Sequence, residues 1–403
     1  MTKNLVLFAV LSVGLSGEAN AQKFPDLALT PPMGWNSWNT FACNVNEGLI
    51  RETADALVAT GMKDAGYEYV VIDDCWQGTR DSLGFIHPDP VRFPSGMKAL
   101  AEYLHSKGLK FGIYSCAGDK TCGGYPGSRG HEYQDALTYA QWGVDYLKYD
   151  WCNTAGLNSV GAYSTMRDAL KSAGRPVVFS ICEWGDTKPW EWAGTVGHLW
   201  RTTGDITDCF DCEVNHGSWS SWGILRTIDM RKGIRNAAGP GHWNDPDMME
   251  AGKGMTTAED RAHFSLWAMV AAPLIAGNDV RTMRRETVDI LTNKEVIDVD
   301  QDSLGVQGFK YTDDEQGVEV WMKPLRDGGW AVCFLNRSGV TKKIVFDWSK
   351  HYASDDVSKR TLNTNETVFQ VRNLWTKKFA GDTKKPFAAE VLSHDVVMVR
   401  LFK

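Results

Sequence analysis

Short apolar runs of β type alternate with segments of helical period along residues 29 to 300. Each run ends in polar or charged residues, and a glycine often closes the helical segment that follows it. We assign strands to eight of these runs: 32–38, 67–73, 110–115, 144–150, 176–182, 199–205, 242–247 and 272–278. Eight strands alternating with helices predict an α/β fold, a (β/α)₈ TIM barrel. A doubly wound open sheet is the alternative, but no G-x-G-x-x-G fingerprint follows a strand.

Three of the intervening segments carry clear helix signals. Apolar residues fall at helical spacing from Leu49 to Met62. Ser95 is a candidate N-cap for the helix that follows it, because a serine side chain can accept a hydrogen bond from a first-turn amide. Thr256 and Glu259 have the spacing of a capping box before the run HFSLWAMVAA.

The pattern changes at about residue 305. The runs GVEVWMKPL, GWAVCFLNR, KKIVFDW and VVMVRLF alternate in polarity or are apolar throughout, and turn residues separate them. Long helical periods are absent from this part of the sequence. We therefore predict that the barrel occupies residues 22–304 and that a C-terminal antiparallel β-sandwich domain occupies residues 305–403.

The first residues have the features of a secretory signal peptide. Lys3 precedes the apolar stretch LVLFAVLSVGL, and small residues follow at Ala19 and Ala21. We predict a signal peptide over residues 1–21, cleavage after Ala21, and export to the periplasm or the medium; a hydrophobic first helix is the alternative. The stretch is too short to span a membrane, and no later segment of about 20 apolar residues occurs.

Composition narrows the class of partner. The net charge of −7 argues against nucleic acid as the main partner. The chain has 17 tryptophans, which either stack on ligands or fill a large core. Export permits disulfides, and the nine cysteines are an odd number, so at least one thiol is free or pairs outside the chain. The sequence does not indicate an oligomeric state.

Residues that could catalyse a reaction or bind a ligand lie at the C-terminal ends of the predicted strands, where barrel enzymes place their functional side chains. Acids, two cations and several tryptophans occupy these ends: Trp35, Trp38, Asp73, Asp74, Lys148, Asp150, Cys182, Glu183, Trp184, Arg201, Asp205, Asp245 and Asp247.

Two of these acids suit the hydrolysis of a glycosidic bond. Lys148 and Asp150 are two residues apart, so they face the same side of a strand. A lysine beside a carboxylate favours its ionised form, and an ionised carboxylate in a pocket is a candidate nucleophile. Asp205, close to Arg201, would be the second carboxyl that the reaction needs. A structural ion pair and a surface salt bridge are the respective alternatives.

The adjacent acids Asp73 and Asp74 would repel each other unless donors reach both, and sugar hydroxyls are such donors. Trp38 and Trp184 would suit a sugar face, with core packing as the alternative. Metal binding is a competing interpretation, because five of the strand-end acids are oxygen ligands that Mg²⁺ or Ca²⁺ accept: Asp73, Asp74, Asp150, Asp245 and Asp247. No histidine cluster has zinc spacing.

Taken together, the motifs resemble glycoside hydrolase family 27, the α-galactosidase and α-N-acetylgalactosaminidase group, and within it the plant-type secreted α-galactosidases. The segments that carry the resemblance are PPMGWNSWNTFACNVNE, VIDDCW, FPSGMKALAEYLHSKGLKFGIYS, WGVDYLKYDWC, SICEWG, WRTTGDI and GPGHWNDPDMME. The resemblance runs from about residue 29 to the C-terminus. It implies a retaining mechanism, a barrel followed by a β-sandwich, an oligosaccharide or polysaccharide that ends in α-galactose as substrate, and no metal or other cofactor.

The resemblance also implies residue roles. Asp150 would be the nucleophile and Asp205 the general acid/base. The substrate-binding residues would be Asp73 for the 6-hydroxyl, Asp74 for the axial 4-hydroxyl, Lys148 for the 3-hydroxyl, Arg201 with Glu183 for the 2- and 3-hydroxyl region, Trp38 for the ring, and in addition Cys182, Trp184 and Met248.

Specificity follows from the same motifs. Glu183 and Trp184 stand where N-acetylgalactosaminidases of the family have small residues, so an acetamido group would find little room. Asp73 stands where β-L-arabinopyranosidases have glutamate. Both features favour an α-D-galactoside, and the two other activities are the alternatives. Melibiose, raffinose, galactomannan and blood-group-B-type glycans all end in this sugar.

The resemblance implies two disulfides, Cys43–Cys75 and Cys122–Cys152. Cys182 would pair with Cys209 or Cys212, or these last two would pair with each other. Two departures from the family lie near the mouth: Cys116 replaces a common aspartate, and Trp151 replaces a smaller residue. They leave open how the site continues beyond the galactose pocket.

Overall fold

The eight predicted strands form one parallel sheet in a computed structural model that describes residues 23–403. The predicted signal peptide, residues 1–21, lies outside the described residues. The strands of this sheet are β1 (Met33–Asn36), β2 (Tyr69–Val71), β3 (Lys110–Cys116), β4 (Tyr146–Asp150), β5 (Val178–Cys182), β6 (Leu199–Arg201), β7 (Trp243–Asp245) and β8 (Leu274–Ala276). Their order is β7-β6-β5-β4-β3-β2-β1-β8, so β1 to β7 follow their order in the sequence and β8 pairs with β1, and the predicted barrel is confirmed.

The barrel closes through an irregular segment after β7. The backbone of Met249 pairs with β8: its N–H donates to Ile275 O at 2.6 Å, and Gly277 N–H donates to its carbonyl at 2.9 Å. Asp247, just before this pairing, has a left-handed backbone with φ of 94°. Such a conformation is costly for a residue other than glycine and is often found at functional sites.

Helices surround the sheet. In the described part of the chain they are α1 (Trp38–Phe41), α2 (Glu47–Ala59), α3 (Met62–Ala65), α4 (Gly96–Ser106), α5 (Glu132–Trp142), α6 (Ser159–Ala173), α7 (Ile224–Met230), α8 (Thr257–Met269), α9 (Arg285–Leu291) and α10 (Lys294–Asp300), with 3-10 turns at Pro189–Glu191, Ala193–Thr195 and Arg235–Ala237.

The helix signals had different outcomes. The capping box of Thr256 and Glu259 is confirmed, with both reciprocal hydrogen bonds present. Ser95 stands at the start of α4, but its side chain makes no capping hydrogen bond; the prediction was wrong because its backbone is helical, with φ of −83° and ψ of −8°, and not extended as capping requires. Its N–H donates to Glu47 Oε2 at 3.0 Å. The carboxylate of Glu47 therefore takes part in holding the start of α4 against α2.

Two hairpins leave the barrel on its loops. One pairs Gln77–Arg80 with Ile86–Pro88, and the other pairs Glu213–Asn215 with Ser220–Trp222. The second follows β6, so it lies near any side chain at the end of that strand.

The C-terminal part is antiparallel, as predicted. Its strands are β9 (Phe309–Glu315), β10 (Val318–Pro324), β11 (Trp330–Leu335), β12 (Lys342–Phe346), β13 (Tyr352–Ser354), β14 (Thr361–Asn363), β15 (Gln370–Asn373), β16 (Lys378–Asp382), β17 (Phe387–Val391) and β18 (Val396–Phe402), with a 3-10 turn at Trp348–Lys350. The six-stranded sheet β9-β10-β11-β18-β15-β16 and the pair β12-β17 enclose an apolar core of their own.

The two parts meet at α8, which contacts β10, β11 and β18. Lys323 of β10 reaches into this junction, where its Nζ donates to Val299 O at 2.5 Å and Ala268 O at 3.1 Å. The predicted domain boundary at 304/305 falls in the connection between α10 and β9, and we keep it as a proposal. Among the described residues, none of the helices has the length and apolar character needed to cross a membrane.

Candidate active site

A pocket lies at the C-terminal end of the barrel, where the strand ends converge. It is lined by Trp38, Asn39, Asp73, Asp74, Tyr114, Cys122, Lys148, Asp150, Trp184, Arg201, Asp205, Asp247 and Met248. Most of the side chains that the sequence singled out therefore meet in one place, although they come from separate strands and loops.

The two acids after β2 are held by different donors. Asp73 accepts from Asn36 Nδ2 and from Lys148 Nζ, each at 2.8 Å. Asp74 accepts from its neighbour Cys75 N–H at 2.7 Å and from Gly123 N–H, across the pocket wall, at 2.6 Å. Burial nevertheless raises the pKa of Asp74 above its usual value. Separate donors thus let two adjacent carboxyl groups share one wall.

The ion pair of Lys148 differs from the sequence-based expectation. Lys148 and Asp150 do face the same side of β4, but the Nζ contacts Asp73 rather than Asp150. The lysine extends across the barrel interior to the end of β2, which is not a neighbouring strand. Asp73 is only 2% exposed, so an ion pair here satisfies a charge that burial would otherwise make costly.

Asp150 is the more deeply buried carboxyl group of the predicted catalytic pair. It is 5% exposed, and its Oδ1 accepts from Trp151 N–H at 2.8 Å. Burial raises its pKa to about 6, while the positive charge of Lys148 lowers it and the charges of Asp205 and Asp73 raise it further. The expectation that the lysine alone keeps this carboxyl ionised was therefore incomplete, because desolvation outweighs the lysine.

Arg201 connects the acids on the β6 and β7 side. Its Nη2 lies 2.8 Å from Asp247 Oδ2 and 3.1 Å from Asp205 Oδ1. Asp205 is a rim residue with a 38% exposed side chain, whereas the arginine is buried. Burial and nearby negative charge raise the pKa of Asp247, and Arg201 opposes this.

The apolar side of the pocket comes from loops. Trp38 begins α1, where its N–H donates to Asn36 Oδ1 at 2.8 Å. Trp184 follows β5 in a left-handed backbone conformation with φ of 56°, which places its side chain at the pocket. Met248 follows the similarly strained Asp247.

Two predicted binding residues do not line the pocket. Glu183 is fully buried, and its Oε2 accepts from Thr187 N–H at 2.7 Å and Thr187 Oγ1 at 2.8 Å. Its Oε1 is buried without a hydrogen-bond partner in the described part of the chain, and direct contact between Glu183 and a sugar stays a prediction. Cys182 is a buried thiol 3.8 Å from Arg201 Nη1, so it lies beneath the arginine. Among the other strand-end candidates, Trp35 is core, with its indole donating to Asn278 O at 2.8 Å.

Disulfides fasten the loops around the site. Cys43 pairs with Cys75, Cys122 with Cys152, and Cys209 with Cys212. The last pair resolves the open alternatives for Cys182, which is free.

Neither of the two departures from the family pattern lines the pocket. The thiol of Cys116 donates to Cys152 O at 3.0 Å, and Trp151 stacks on Tyr163 with ring centroids 5.5 Å apart. Both residues therefore shape the support of Asp150 rather than the surface of the pocket.

Sequence reasoning missed two lining residues and gave no sugar-binding role to two others. Asn39 and Tyr114 were not singled out, Cys122 was expected only in a disulfide, and Asp247 was noted only as a strand-end acid and a candidate metal ligand. Tyr114 is the register partner of Lys148 in the neighbouring strand, and its ring centroid is 5.4 Å from the lysine Nζ. Strand alternation applied to β3 could have identified it.

The donor set is a poor fit for a divalent cation. Asp73 is engaged by a lysine and Asp247 by an arginine, so cationic side chains take the place that a metal would occupy. Cys122 and Cys152 lie close to Asp150, but they are joined in a disulfide and offer no thiolate. The metal interpretation therefore gains no support from the geometry of this site.

Two carboxyl groups in one pocket at this end of a barrel are the arrangement of a glycoside hydrolase. Comparison with known protein families agrees: the alpha galactosidase A family matches residues 30–302, and the alpha galactosidase C-terminal beta sandwich domain matches residues 315–401. The chain belongs to the alpha galactosidase A family, in glycoside hydrolase family 27.

Individual relatives match over almost the whole chain. Alpha-galactosidase A of Cellvibrio japonicus is 59% identical over 100% of this chain and 99% of its own length. Alpha-galactosidase of rice, Oryza sativa subsp. japonica, is 49% identical over 92% of this chain and 84% of its own. The structure of the Saccharomyces cerevisiae α-galactosidase with raffinose is similar, with a TM-score of 0.85 and 31% identity over 94% of this chain and 98% of that one. The expected resemblance to α-galactosidases, plant ones included, is confirmed.

Proposed function

We propose that this protein is an exported, retaining exo-α-galactosidase that removes terminal α-D-galactosyl residues from oligosaccharides or polysaccharides. The observation that carries the proposal is that Asp150 and Asp205 line one pocket together with Lys148, Arg201 and Trp38. These are the positions to which the family resemblance gives catalytic and sugar-binding roles. The names of the relatives support the same activity.

The reaction proceeds in two displacements. In the first, an oxygen of Asp150 attacks the anomeric carbon while Asp205 gives its proton to the departing glycosidic oxygen, which forms a covalent galactosyl-enzyme. In the second, Asp205 takes a proton from water, and the water oxygen displaces Asp150 from the anomeric carbon. Two inversions release galactose with its α configuration. Retention requires the two carboxyl groups to lie about 5–5.5 Å apart.

Depth in the pocket supports this division of roles. Asp150 is 5% exposed and Asp205 has a 38% exposed side chain, so the second carboxyl lies nearer to solvent. The leaving group departs toward solvent and the attacking water arrives from it, which suits the rim residue for proton transfer. The contact of Arg201 with Asp205 holds that carboxyl at the rim.

The sugar hydroxyls would meet the remaining polar groups. Asp73 and Lys148 form one ion pair and Asp74 lies beside them, which suits the 6-, 3- and 4-hydroxyls respectively. Arg201 would reach the 2-hydroxyl region, and Trp38 would cover a face of the ring. Glu183 has no direct contact in this scheme; its carboxyl orders the loop at Thr187, next to Trp184.

Specificity for galactose is the finer part of the proposal. Trp184 at the pocket leaves little room for a 2-acetamido group, and the short side chain of Asp73 leaves room for a hydroxymethyl group. We expect hydrolysis of an aryl α-D-galactoside to exceed that of the corresponding α-N-acetylgalactosaminide and β-L-arabinopyranoside. Assay of the three substrates side by side measures this directly, and a preference for either of the others would overturn it.

Asp150→Ala tests the catalytic assignment. We expect it to abolish turnover of an aryl α-galactoside while circular dichroism stays unchanged, and Asp289→Ala, an exposed aspartate of α9, to keep full activity as the control. Proton NMR of the first product should show α-galactose. Turnover by the Asp150 variant, or β-galactose as first product, would refute the mechanism, and a wild type that binds galactose without turnover would indicate a binding protein.

A further inference from the structure

The hairpin after β6 is tied directly to the proposed acid/base. Trp222 N–H donates to Asp205 O at 2.9 Å, and Thr207 N–H donates to Trp222 O at 2.9 Å. The side chain follows the same segment: a Cβ built on Gly204 would lie 3.1 Å from the indole Nε1 of Trp222. The indole therefore covers the backbone immediately before Asp205.

The base of this hairpin is fixed. The Cys209–Cys212 disulfide lies at its start, and Gly223 N–H and Ile224 N–H donate to Cys212 O and Cys209 O at 2.8 and 3.0 Å. Such an anchored base holds Trp222 in one place relative to Asp205, which is what a binding surface needs.

The two faces of the hairpin differ. Trp222 pairs with Glu213, and Ser220 pairs with Asn215, so these four side chains share the face that meets Gly204. The other face carries Ser221, with His216 hydrogen-bonded to its Oγ at 3.0 Å and stacked on Trp219 at 4.0 Å between ring centroids. Trp219 thus belongs to the same hairpin but to its opposite side.

Trp222 has what a sugar surface requires. It is partly exposed, and within the described residues its indole N–H has no hydrogen-bond partner. A tryptophan with one accessible face and a free N–H can cover an apolar sugar face and donate to a hydroxyl. Ser220 and Asn215, on the same face, add uncharged polar groups.

We propose that Trp222 is the platform for the leaving-group sugar, and that it confers preference for substrates in which galactose is attached to a further neutral pyranose. This inference rests on the proposed function, because Asp205 must touch the glycosidic oxygen and the leaving group must then lie on its solvent side. Trp222 is partly exposed and lies against Gly204, the residue before Asp205.

The test compares two substrates with leaving groups of different size. The leaving group of α-galactosyl fluoride is a fluoride ion, whereas the leaving group of raffinose is a sugar. We expect Trp222→Ala to lower the ratio of kcat/KM for raffinose to kcat/KM for the fluoride about tenfold, mainly through KM for raffinose. Trp222→Phe should retain the ratio within about threefold, because a ring face remains. Both rate constants scale with the folded fraction, so their ratio is independent of any loss of folding.

Trp219→Ala is the matched control on the opposite face, and the ratio should equal that of the wild type. A Trp222→Ala ratio within about twofold of the wild type, or an equal fall with Trp219→Ala, would overturn the inference. A wild type that fails to hydrolyse the fluoride would instead overturn the proposed function, so the two failures are distinguishable.

Discussion

The ion pair of Lys148 and Asp73 should act on the nucleophile in two opposite directions. Both charges influence Asp150, whose pKa is about 6: the lysine lowers it and the aspartate raises it. Removing the positive partner in Lys148→Met should therefore move the pKa of Asp150 up, and removing the negative partner in Asp73→Asn should move it down. A purely structural ion pair would give no such difference in sign.

The size of the effect follows from distance. Residues two apart on a strand are separated by about 6.6 Å, so at about 7 Å and an effective dielectric constant of about 20 the interaction of Lys148 with Asp150 is about 2.4 kcal/mol. At 1.36 kcal/mol for each pH unit, this corresponds to roughly 1.8 pH units. If the charge of Asp73 acts over about 10 Å, the same calculation gives roughly one pH unit.

The assay is the pH dependence of kcat/KM for α-galactosyl fluoride between about pH 4 and pH 8, which reports ionisation of the free enzyme. The acidic limb should rise through about pH 6 in the wild type. Both variants also lose contacts to the sugar, which lowers kcat/KM at every pH. The midpoint of the acidic limb is therefore measured relative to the maximum kcat/KM of the same variant. Lys343→Met removes an exposed lysine that pairs with Glu390 on the sandwich, and its midpoint should not move. Midpoints that move in the same direction in both variants would refute the reasoning.

Three further effects follow from the structure. Reduction of the Cys122–Cys152 disulfide, or replacement of both cysteines by alanine, should lower kcat/KM at least tenfold. The reason is that the disulfide fastens the loop whose Gly123 N–H donates to Asp74. Full activity of a protein in which this disulfide is shown to be reduced would contradict the prediction. Gly34→Ala should lower the thermal midpoint strongly, since its Cβ would lie 2.3 Å from Tyr69 O, whereas Gly194→Ala, with open space, should change it little. The buried His263 has its pKa lowered to about 3, so it stabilises the fold above about pH 6.5 and loses that contribution as the pH falls. Between pH 7 and pH 5 the free energy of unfolding should fall about 2 kcal/mol less in His263→Gln than in the wild type, and an equal fall would count against it.

The strands and most of the pocket could be predicted from the sequence because both depend on local pattern. A buried parallel strand is a short apolar run, and a barrel brings the ends of all such runs to one mouth. The runs ending in Asp73, Asp150 and Asp205 thus predict that these three side chains lie close together. Closure of the barrel was less evident, because it depends on the irregular pairing of Met249 rather than on a regular strand.

What the sequence could not provide is the partner of each charge. Lys148 is two residues from Asp150, yet its ion pair is with Asp73, from a strand that is not adjacent to β4. Distance across a barrel interior has no counterpart in sequence spacing. The position of Glu183 outside the pocket lining is a different case: Cys182 is the register partner of Asp150, so residue 183 follows the end of β5 with the opposite orientation, which strand alternation would have indicated.

The excess of negative groups in the pocket has a consequence for ligand binding. Five carboxyl groups line it, against one lysine and one arginine. Burial raises the pKa of Asp150 to about 6 and raises that of Asp247 as well, so near pH 6 the free site retains protons on carboxyl groups. A bound sugar donates hydroxyl hydrogen bonds, and these favour the ionised form of a carboxyl group.

Galactose should therefore release protons when it binds, and its affinity should rise with pH through about 6. Calorimetric titration with galactose at pH 6 in two buffers with different ionisation enthalpies measures the number of protons released. Asp150→Asn removes one of the titrating groups and should reduce that number, while Asp289→Asn on the exposed face of α9 should not. A binding enthalpy independent of the buffer, or net proton uptake, would mean that the carboxyl groups are already fully ionised in the free site.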